Sequence, residues 1–167
     1  MDKGANIDII GEQNRTALHL AAQEGFKEIV DILIKAKSKV NTEVDGATVL
    51  MVACYNNHLE VVKLLLAAGV NSHAEYEETE AIQLTTSEAI IKEIKAFEND
   101  LFEYILKHNE QAQYALNAFN NLKMGFPKAK DAFVEVEECL EAQAQYESLN
   151  LNDICGTAGS YYYHDDL

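Results

Sequence analysis

The sequence lacks several features that mark whole classes of protein. It has one proline and eight glycines in 167 residues, which argues against a loop-rich all-β fold and favours helices. Its three cysteines are odd in number and include no CxxC pair, so neither a disulfide framework nor a zinc site is supported. Because no run of about 18 apolar residues occurs, we expect no membrane span. The polar N-terminus does not fit a signal peptide.

Basic residues are also scarce. The chain has 13 of them against 28 acidic residues, which gives a net charge of -15. Such an excess repels phosphate backbones and anionic lipids, so we expect no nucleic acid and no membrane among the partners. Apolar residues make up 48% of the chain, enough for a packed core. The sequence therefore predicts a cytoplasmic protein with an ordinary core and an acidic surface.

A motif recurs at an interval of 32 residues in the first half of the chain. The first copy reads TALHLAA from Thr16 and GFKEIVDILI from Gly25, and the second reads TVLMVAC from Thr48 and NHLEVVKLLL from Asn57. A third, weaker copy begins at Ala81. In each copy, a segment of small residues precedes an amphipathic segment, which predicts two short helices packed on their neighbours.

Turn residues separate the predicted helices. Asp45 and Gly46 form a pair typical of a tight turn before the second unit. Gly69 follows the second amphipathic segment, where a helix C-terminus favours a residue in the left-handed conformation.

These units resemble the ankyrin repeat over about residues 4–74, and the resemblance fades by residue 95. The family's TPLH segment corresponds to Thr16–His19 and to Thr48–Met51, although alanine and valine replace both prolines. The third unit resembles a terminal capping half-repeat. Residues 3–8 resemble the tail of a preceding repeat, so we expect a chain truncated at its N-terminus or begun without a proper cap.

The second half of the chain predicts further helices. Apolar spacing indicates helices over about 86–108, 110–124 and 128–149, with a capping box from Thr85 to Glu88. Residues 1–78 carry a net charge of -5 and residues 79–167 one of -10. The acidic residues Glu135, Glu137, Glu138 and Glu141 form either a solvated helix face or a docking surface for a basic partner.

The fold class that follows is all-α: an ankyrin-repeat solenoid of helix pairs with short hairpin loops, followed by an antiparallel helical extension. We expect an ankyrin-repeat domain over residues 1–95, an acidic helical extension over 96–150 and a flexible tail over 151–167. That tail contains three consecutive tyrosines, Tyr161–Tyr163.

No arrangement of residues indicates catalysis, a cofactor or a metal site. Cys54 occupies a small-residue position of the second repeat, and Cys139 lies on the predicted inner face of a helix. Cys155 and His164 are close only in sequence, and catalysis needs a fixed geometry. By resemblance, His19 and His58 are structural histidines of the repeats. His108 ends a predicted helix, where a cation suits the helix dipole. There is no HExxH, GxGxxG or GxxxxGK[ST] motif. We therefore expect a non-enzymatic protein without cofactors.

The resemblance implies a scaffold that binds another protein through its concave surface. Carrying the family's contact positions over gives Glu12, Gln13, Arg15, Gln23 and Glu24 in the first repeat, and Glu43, Val44, Ala47, Tyr55 and Asn56 in the second. Tyr55 is the favoured anchor, with packing on the neighbouring helix as the alternative. The charge favours a basic partner and a monomer or weak self-association. Two alternatives remain: a self-associating assembly element, and a secreted bacterial effector that acts on host proteins in the host cytosol.

Overall fold

The computed structural model describes residues 6–11, 15–109, 111–125 and 140–141 of the chain. Within these ranges the protein is mostly helical, and its strands occur as two-residue pairs in hairpins. The expected all-α fold class is confirmed. Each 32-residue unit forms its own group of elements, and the groups stack in chain order.

The elements follow the repeat closely. The first unit contributes α1 (Ala17–Glu24) and α2 (Lys27–Lys35). The second contributes β1 (Glu43–Val44), β2 (Ala47–Thr48), α3 (Val49–Tyr55) and α4 (Leu59–Ala67). The third contributes β3 (Glu75–Tyr76), β4 (Thr79–Glu80), a 3-10 helix (Ala81–Leu84) and α5 (Glu88–Asn99). Beyond them lie α6 (Leu101–His108) and α7 (Ala112–Gly125).

Threonine side chains begin the first helix of both full repeats. The hydroxyl of Thr16 accepts a hydrogen bond from the backbone N–H of His19, and that of Thr48 accepts one from Met51. These bonds satisfy donors that the first turn of a helix leaves without partners. Gly25 ends α1 in the left-handed conformation, at φ 72°. The recurring threonines therefore fix where each repeat's first helix starts.

Stacking of successive units builds one continuous core. Helix α1 packs on α3, and α2 packs on α4. Leu18 and its counterpart Leu50 are fully buried, as are Ala22 and Cys54 in the small-residue segments. Small side chains at these positions let neighbouring helices approach closely. A single repeat unit cannot bury its apolar face alone, so the repeats depend on each other for stability.

We expected a shortened helix pair in the third unit, but only its first helix is short: α5 has 12 residues, against 9 in α2 and in α4. Its 3-10 helix of four residues replaces the first helix of a full repeat, and it packs against α3. Thr85 does not cap the next helix as we expected: its hydroxyl donates to Asn57 of the second repeat (2.7 Å) and accepts from the backbone N–H of Ser87. Ser87 precedes α5 without a side-chain cap. The expected cap is therefore wrong, because Thr85 is engaged with the preceding repeat.

The helix expected over 86–108 is broken at Asp100. The backbone there leaves the helical region (φ -151°, ψ 83°), and the Asp100 carboxylate accepts from the N–H of Glu103 to begin α6. Apolar spacing hides this break because Phe97 and Leu101, on either side of it, are both buried. Helix α5 itself continues past residue 95, the expected end of the repeat domain, to Asn99.

The chain beyond α5 turns back onto the repeats. The side-chain amide of Asn121 donates to the carbonyl of Ala68 at the end of α4 (2.8 Å), and Asn109 donates to Ala67 (2.9 Å). The next residue of the repeat, Gly69, has a left-handed backbone (φ 75°), and a Cβ there would collide with the carbonyl of Ala118. Gly69 thus ends α4 as expected and also admits α7.

Several expectations fall on residues that the structure does not describe. The helix over 128–149 lies outside the described residues except for a helical pair, Leu140 and Glu141. Three residues of the acidic group, Glu135, Glu137 and Glu138, also lie outside them. The same holds for Cys139, Cys155 and the tail over residues 151–167.

Candidate functional site

Two hairpins form the first part of the candidate surface. Each is closed by two antiparallel residue pairs in the same register: Glu43 with Thr48, Val44 with Ala47, Glu75 with Glu80, and Tyr76 with Thr79. Since the hairpins are one repeat apart, every residue of the first has a counterpart in the second. Any difference between counterparts changes what the surface offers to a partner.

An aromatic ring joins the two hairpins. The ring of Tyr76 in β3 lies against Gly46 in the turn of the first hairpin, and a Cβ at residue 46 would collide with it. Gly46 also has a left-handed backbone (φ 82°), so it is required both by the turn and by its neighbour. Tyr76 remains substantially exposed on its other side. The hairpins therefore present a continuous surface with an aromatic residue at its centre.

The hairpin turns place acidic side chains on this surface. Asp45 and Gly46 form one turn and Glu77 and Glu78 the other, and all four have positive φ. This geometry matches the right-handed twist of paired strands, but a left-handed backbone costs about 1 kcal/mol per non-glycine residue. The second hairpin therefore keeps two carboxylates at positions that glycine or asparagine would occupy with less strain.

The charge of the hairpins acts on Tyr76. Five carboxylate side chains on the two hairpins are exposed: Glu43, Asp45, Glu75, Glu77 and Glu78. The carboxylate of Glu77, by its charge and a hydrogen bond, raises the pKa of the Tyr76 hydroxyl, and Asp45 adds to the effect. The surface therefore combines negative charge with an aromatic side chain whose hydroxyl donates to a neighbouring carboxylate.

Helices α1 and α3 supply the second part of the candidate surface. Tyr55 at the end of α3 is 69% exposed, which leaves most of its ring open to a partner. Its neighbour Asn56 is exposed, and its side-chain amide donates to the carbonyl of Val52 in its own helix. Glu24 at the end of α1 is exposed as well. These three positions were all expected to contact a partner.

Two other expected contact residues are engaged within the first repeat. The guanidinium of Arg15 donates to the side-chain oxygen of Gln23, and Gln23 in turn donates to Glu24 (3.0 Å). The carbonyl of Gln23 accepts from Nε2 of His58 in the next repeat (2.9 Å). Both Arg15 and Gln23 are half-buried. Their side chains are therefore engaged within the protein and are less available to a partner than that of Glu24.

We expected Val44 to contact a partner, but its side chain is buried. Its side chain is only 7% exposed, because strand residues alternate in direction and Glu43 takes the outward side. Ala47, opposite Val44, is half-buried. Glu12 and Gln13 lie outside the described residues. Of the ten expected positions, the structure leaves four with exposed side chains: Glu24, Glu43, Tyr55 and Asn56.

Sequence analysis missed Tyr76. It lies 32 residues after Val44, which the resemblance to ankyrin repeats selected, so the repeat interval makes the two residues counterparts. The third unit was treated as a degenerate cap, and its hairpin was left out of the contact positions. The hairpin nevertheless keeps the geometry of the previous one.

Candidate reactive groups have structural roles where they are described. Burial raises the pKa of the Cys54 thiol to about 12, which removes the thiolate needed for nucleophilic chemistry. Burial lowers the pKa of His19, whose Nδ1 lies 2.8 Å from the Thr16 hydroxyl. His58 bridges two repeats as described above. His108 ends α6, where its Nδ1 donates to the carbonyl of Tyr104 (2.9 Å).

None of the helices in the described ranges combines the length and the apolar character needed to cross a bilayer.

Comparison with known proteins identifies the repeats. A family model described as ankyrin repeats (3 copies) matches residues 1–76. Ankyrin repeat and KH domain-containing protein 1 from Homo sapiens is 49% identical over 63 residues, which are 38% of this chain and 2% of that protein. Nuclear factor NF-kappa-B p105 subunit from Gallus gallus is 32% identical over 81 residues, or 46% of this chain and 8% of that protein.

A plant relative gives the same result. Probable E3 ubiquitin-protein ligase XBOS32 from Oryza sativa subsp. japonica is 37% identical over 70 residues, or 41% of this chain. The chain spans only 2% to 14% of the length of these relatives. The family-model match covers residues 1–76, the part of the chain that contains the repeats. Residues 1–76 of this chain, with their two stacked helix pairs, therefore match the ankyrin-repeat family.

Proposed function

We propose that this protein is a non-enzymatic scaffold that binds a partner protein through the hairpins and the exposed ends of α1 and α3. Ankyrin repeats are in general protein-interaction modules. The observation that carries the proposal is the exposure of two tyrosines, Tyr55 and Tyr76, on elements held by the repeat stack. Large aromatic side chains on a rigid support lose little entropy on binding and dominate many interfaces.

The charge of the surface favours a basic partner. The elements of this surface carry five exposed hairpin carboxylates and exposed Glu24, and the whole chain carries a net charge of -15. A basic segment with lysine or arginine side chains would complement this surface and approach it faster at low salt. The proposal includes a cytoplasmic location, no catalytic activity and no cofactor.

The test begins with affinity capture by the full chain from a cell lysate. A double variant, Tyr55→Ala with Glu43→Arg, removes one anchor and reverses one charge. A second variant, Tyr76→Ala, tests the residue that links the hairpins. The matched control is Glu88→Arg on α5, which reverses an exposed carboxylate on another part of the molecule. Proteins retained by the wild type and the control but lost by both surface variants are the candidates.

The captured protein is then purified and titrated with the wild type and each variant. We expect each surface variant to weaken binding by at least about tenfold, the loss of one interface anchor. The dissociation constant should rise with salt, since exposed charges are screened. Equal affinity of all variants, with folding confirmed by circular dichroism, would place recognition elsewhere on the chain.

A further inference from the structure

Two carboxylates, one from each hairpin, act on the hydroxyl of Tyr76. Glu77 follows Tyr76 in the second hairpin and accepts its hydrogen bond, and the charge of Asp45 reaches the same hydroxyl from the first hairpin. Asp45 lies 32 residues before Glu77, so the two acids are counterparts in successive repeats. Both side chains are exposed. Stacking of the repeats thus brings equivalent turn residues to one aromatic side chain.

The strand carboxylates of the second hairpin are placed differently. Glu75 and Glu80 pair with each other at the ladder position next to that of Tyr76. Because successive residues of a strand point to opposite faces, these two carboxylates lie on the face of the hairpin away from the ring. Asp45, Tyr76 and Glu77 therefore form a group of their own, which we call the Tyr76 cluster.

The ring of Tyr76 is held at two points. The side of the ring that carries Cδ2 and Cε2 lies against Gly46, and the hydroxyl is bonded to Glu77. The residue is nevertheless 42% exposed, so a large part of the ring is open to a partner. A side chain that is already fixed loses little further freedom when a partner covers it. The corresponding residue of the first hairpin is buried Val44, which offers a partner no ring.

We propose that the Tyr76 cluster binds an arginine side chain of the partner protein, an inference that rests on the proposed function. A guanidinium group is planar and carries several N–H donors, so it can stack on an aromatic ring and donate to carboxylates at the edge of that ring. Carboxylates from two separate turns suit a donor group whose N–H bonds point in several directions. A lysine ammonium group is a compact, strongly hydrated point charge and does not stack in this way.

The charge around the cluster favours a cation over other ligands. Neither hairpin, residues 43–48 or 75–80, contains a lysine, arginine or histidine, so the hairpins themselves supply no cation to these carboxylates. The net charge of the chain, -15, repels anionic ligands and attracts a basic segment. An uncharged aromatic side chain would cover the ring of Tyr76 but would leave the two carboxylates without a positive charge. A guanidinium group satisfies both parts of the cluster.

The test uses the full chain and three short peptides that differ at one central residue: arginine, lysine, or citrulline, which keeps the planar shape of arginine without its charge. NMR titration up to about 10 mM peptide follows binding, a range that covers weak contacts by one residue. We expect the arginine peptide to shift the resonances of Tyr76 and Gly46. It should bind about fivefold more tightly than the lysine peptide, the effect of one exposed cation–π contact. The citrulline peptide should bind at least about tenfold more weakly than the arginine peptide.

Two variants separate stacking from charge. Tyr76→Leu keeps an apolar side chain beside Gly46 but removes the ring, so it should abolish the preference for arginine over lysine. Glu77→Gln removes one negative charge and should weaken the binding of both peptides by about threefold, as expected of an exposed ion pair. Tyr55→Leu is the matched control, the same substitution at a more exposed tyrosine, and should leave both dissociation constants unchanged. Circular dichroism confirms that each variant is folded.

Equal affinities for the arginine and lysine peptides would overturn the proposal, as would a lack of binding by the arginine peptide. A preference for arginine that survives in folded Tyr76→Leu would also overturn it. Failure of the arginine site and failure of the proposed scaffold give different results. A captured partner that requires Tyr76, with peptides that are not discriminated, keeps the scaffold and removes the arginine site. Discrimination between the peptides, with no partner captured through this surface, supports the arginine site and contradicts the scaffold.

Discussion

The side-chain amide of Asn41 donates a 2.9 Å hydrogen bond to the main-chain carbonyl of Asn121, which lies 80 positions later in the chain. The side-chain oxygen of Asn41 at the same time accepts from the backbone N–H of Asn71 (2.7 Å). One half-buried side chain thus joins the loop after the first repeat, the loop after the second and helix α7. It ties the helical extension to the repeats.

We expect Asn41→Ala to destabilise the protein by about 2 kcal/mol, because it leaves a donor and an acceptor without partners in a half-buried place. Urea unfolding followed by circular dichroism measures the change. Asn56→Ala is the matched control, since exposed Asn56 bonds only within its own helix and its loss should cost less than about 0.5 kcal/mol. Equal losses for both variants would contradict a linking role for Asn41.

A substitution in the turn at Glu77 and Glu78 should stabilise the protein. Glu78 has φ 63° and is the counterpart of Gly46 in the other hairpin. Glu78→Gly should therefore stabilise the protein by about 1 kcal/mol and raise the melting temperature by roughly 3 °C. Glu75→Gly, in the extended strand next to it, should not stabilise. A lower melting temperature for Glu78→Gly would show that the side chain makes a favourable contact that outweighs its backbone strain.

Buried His19 should make the stability of the protein depend on pH. Its folded pKa lies below the usual value of 6.5 because burial disfavours the charged ring. The unfolded chain therefore binds more protons below about pH 6.5, and the stability that the neutral ring contributes is lost as the pH falls from there. Urea midpoints between pH 7.5 and pH 5 should decline less steeply for His19→Gln than for the wild type. Parallel pH profiles of the two proteins would contradict this account.

Cys54 should resist alkylation in the folded state. Its pKa of about 12 leaves almost no thiolate at pH 8, and burial excludes the reagent. Labelling with iodoacetamide, with peptides resolved by mass spectrometry, should modify Cys54 at least about tenfold more slowly in buffer than in concentrated urea. Equal rates in the two solvents would mean that the second repeat opens readily under native conditions.

Local signals account for what the sequence predicted correctly. The recurring threonines cap α1 and α3, the small-residue segments pack between helices, and Gly69 ends α4. Each of these features depends on residues within a few positions, and the 32-residue interval repeats them in register. The apolar faces of α5 and α6 were predictable for the same reason, since Ile90, Ile94 and Phe97 are all buried.

The candidate site was only partly predictable. Tyr55 was selected by the resemblance to ankyrin repeats, whereas Val44 is buried and the exposed Tyr76 was not among the expected positions. Which of two counterpart residues is exposed depends on its neighbours: Tyr76 rests on Gly46 from the adjacent hairpin and is too large to be enclosed there. No local pattern contains that information.

The sequence by itself determined the repeat, the positions of the helix caps and turns, and the sign of the surface charge, because each arises from residues close together in the chain. The tertiary structure alone decided that α7 turns back onto the repeats and that Thr85 bonds Asn57 instead of capping α5. These outcomes rest on contacts between residues about 28 to 80 positions apart. Such contacts exist only once the units have stacked.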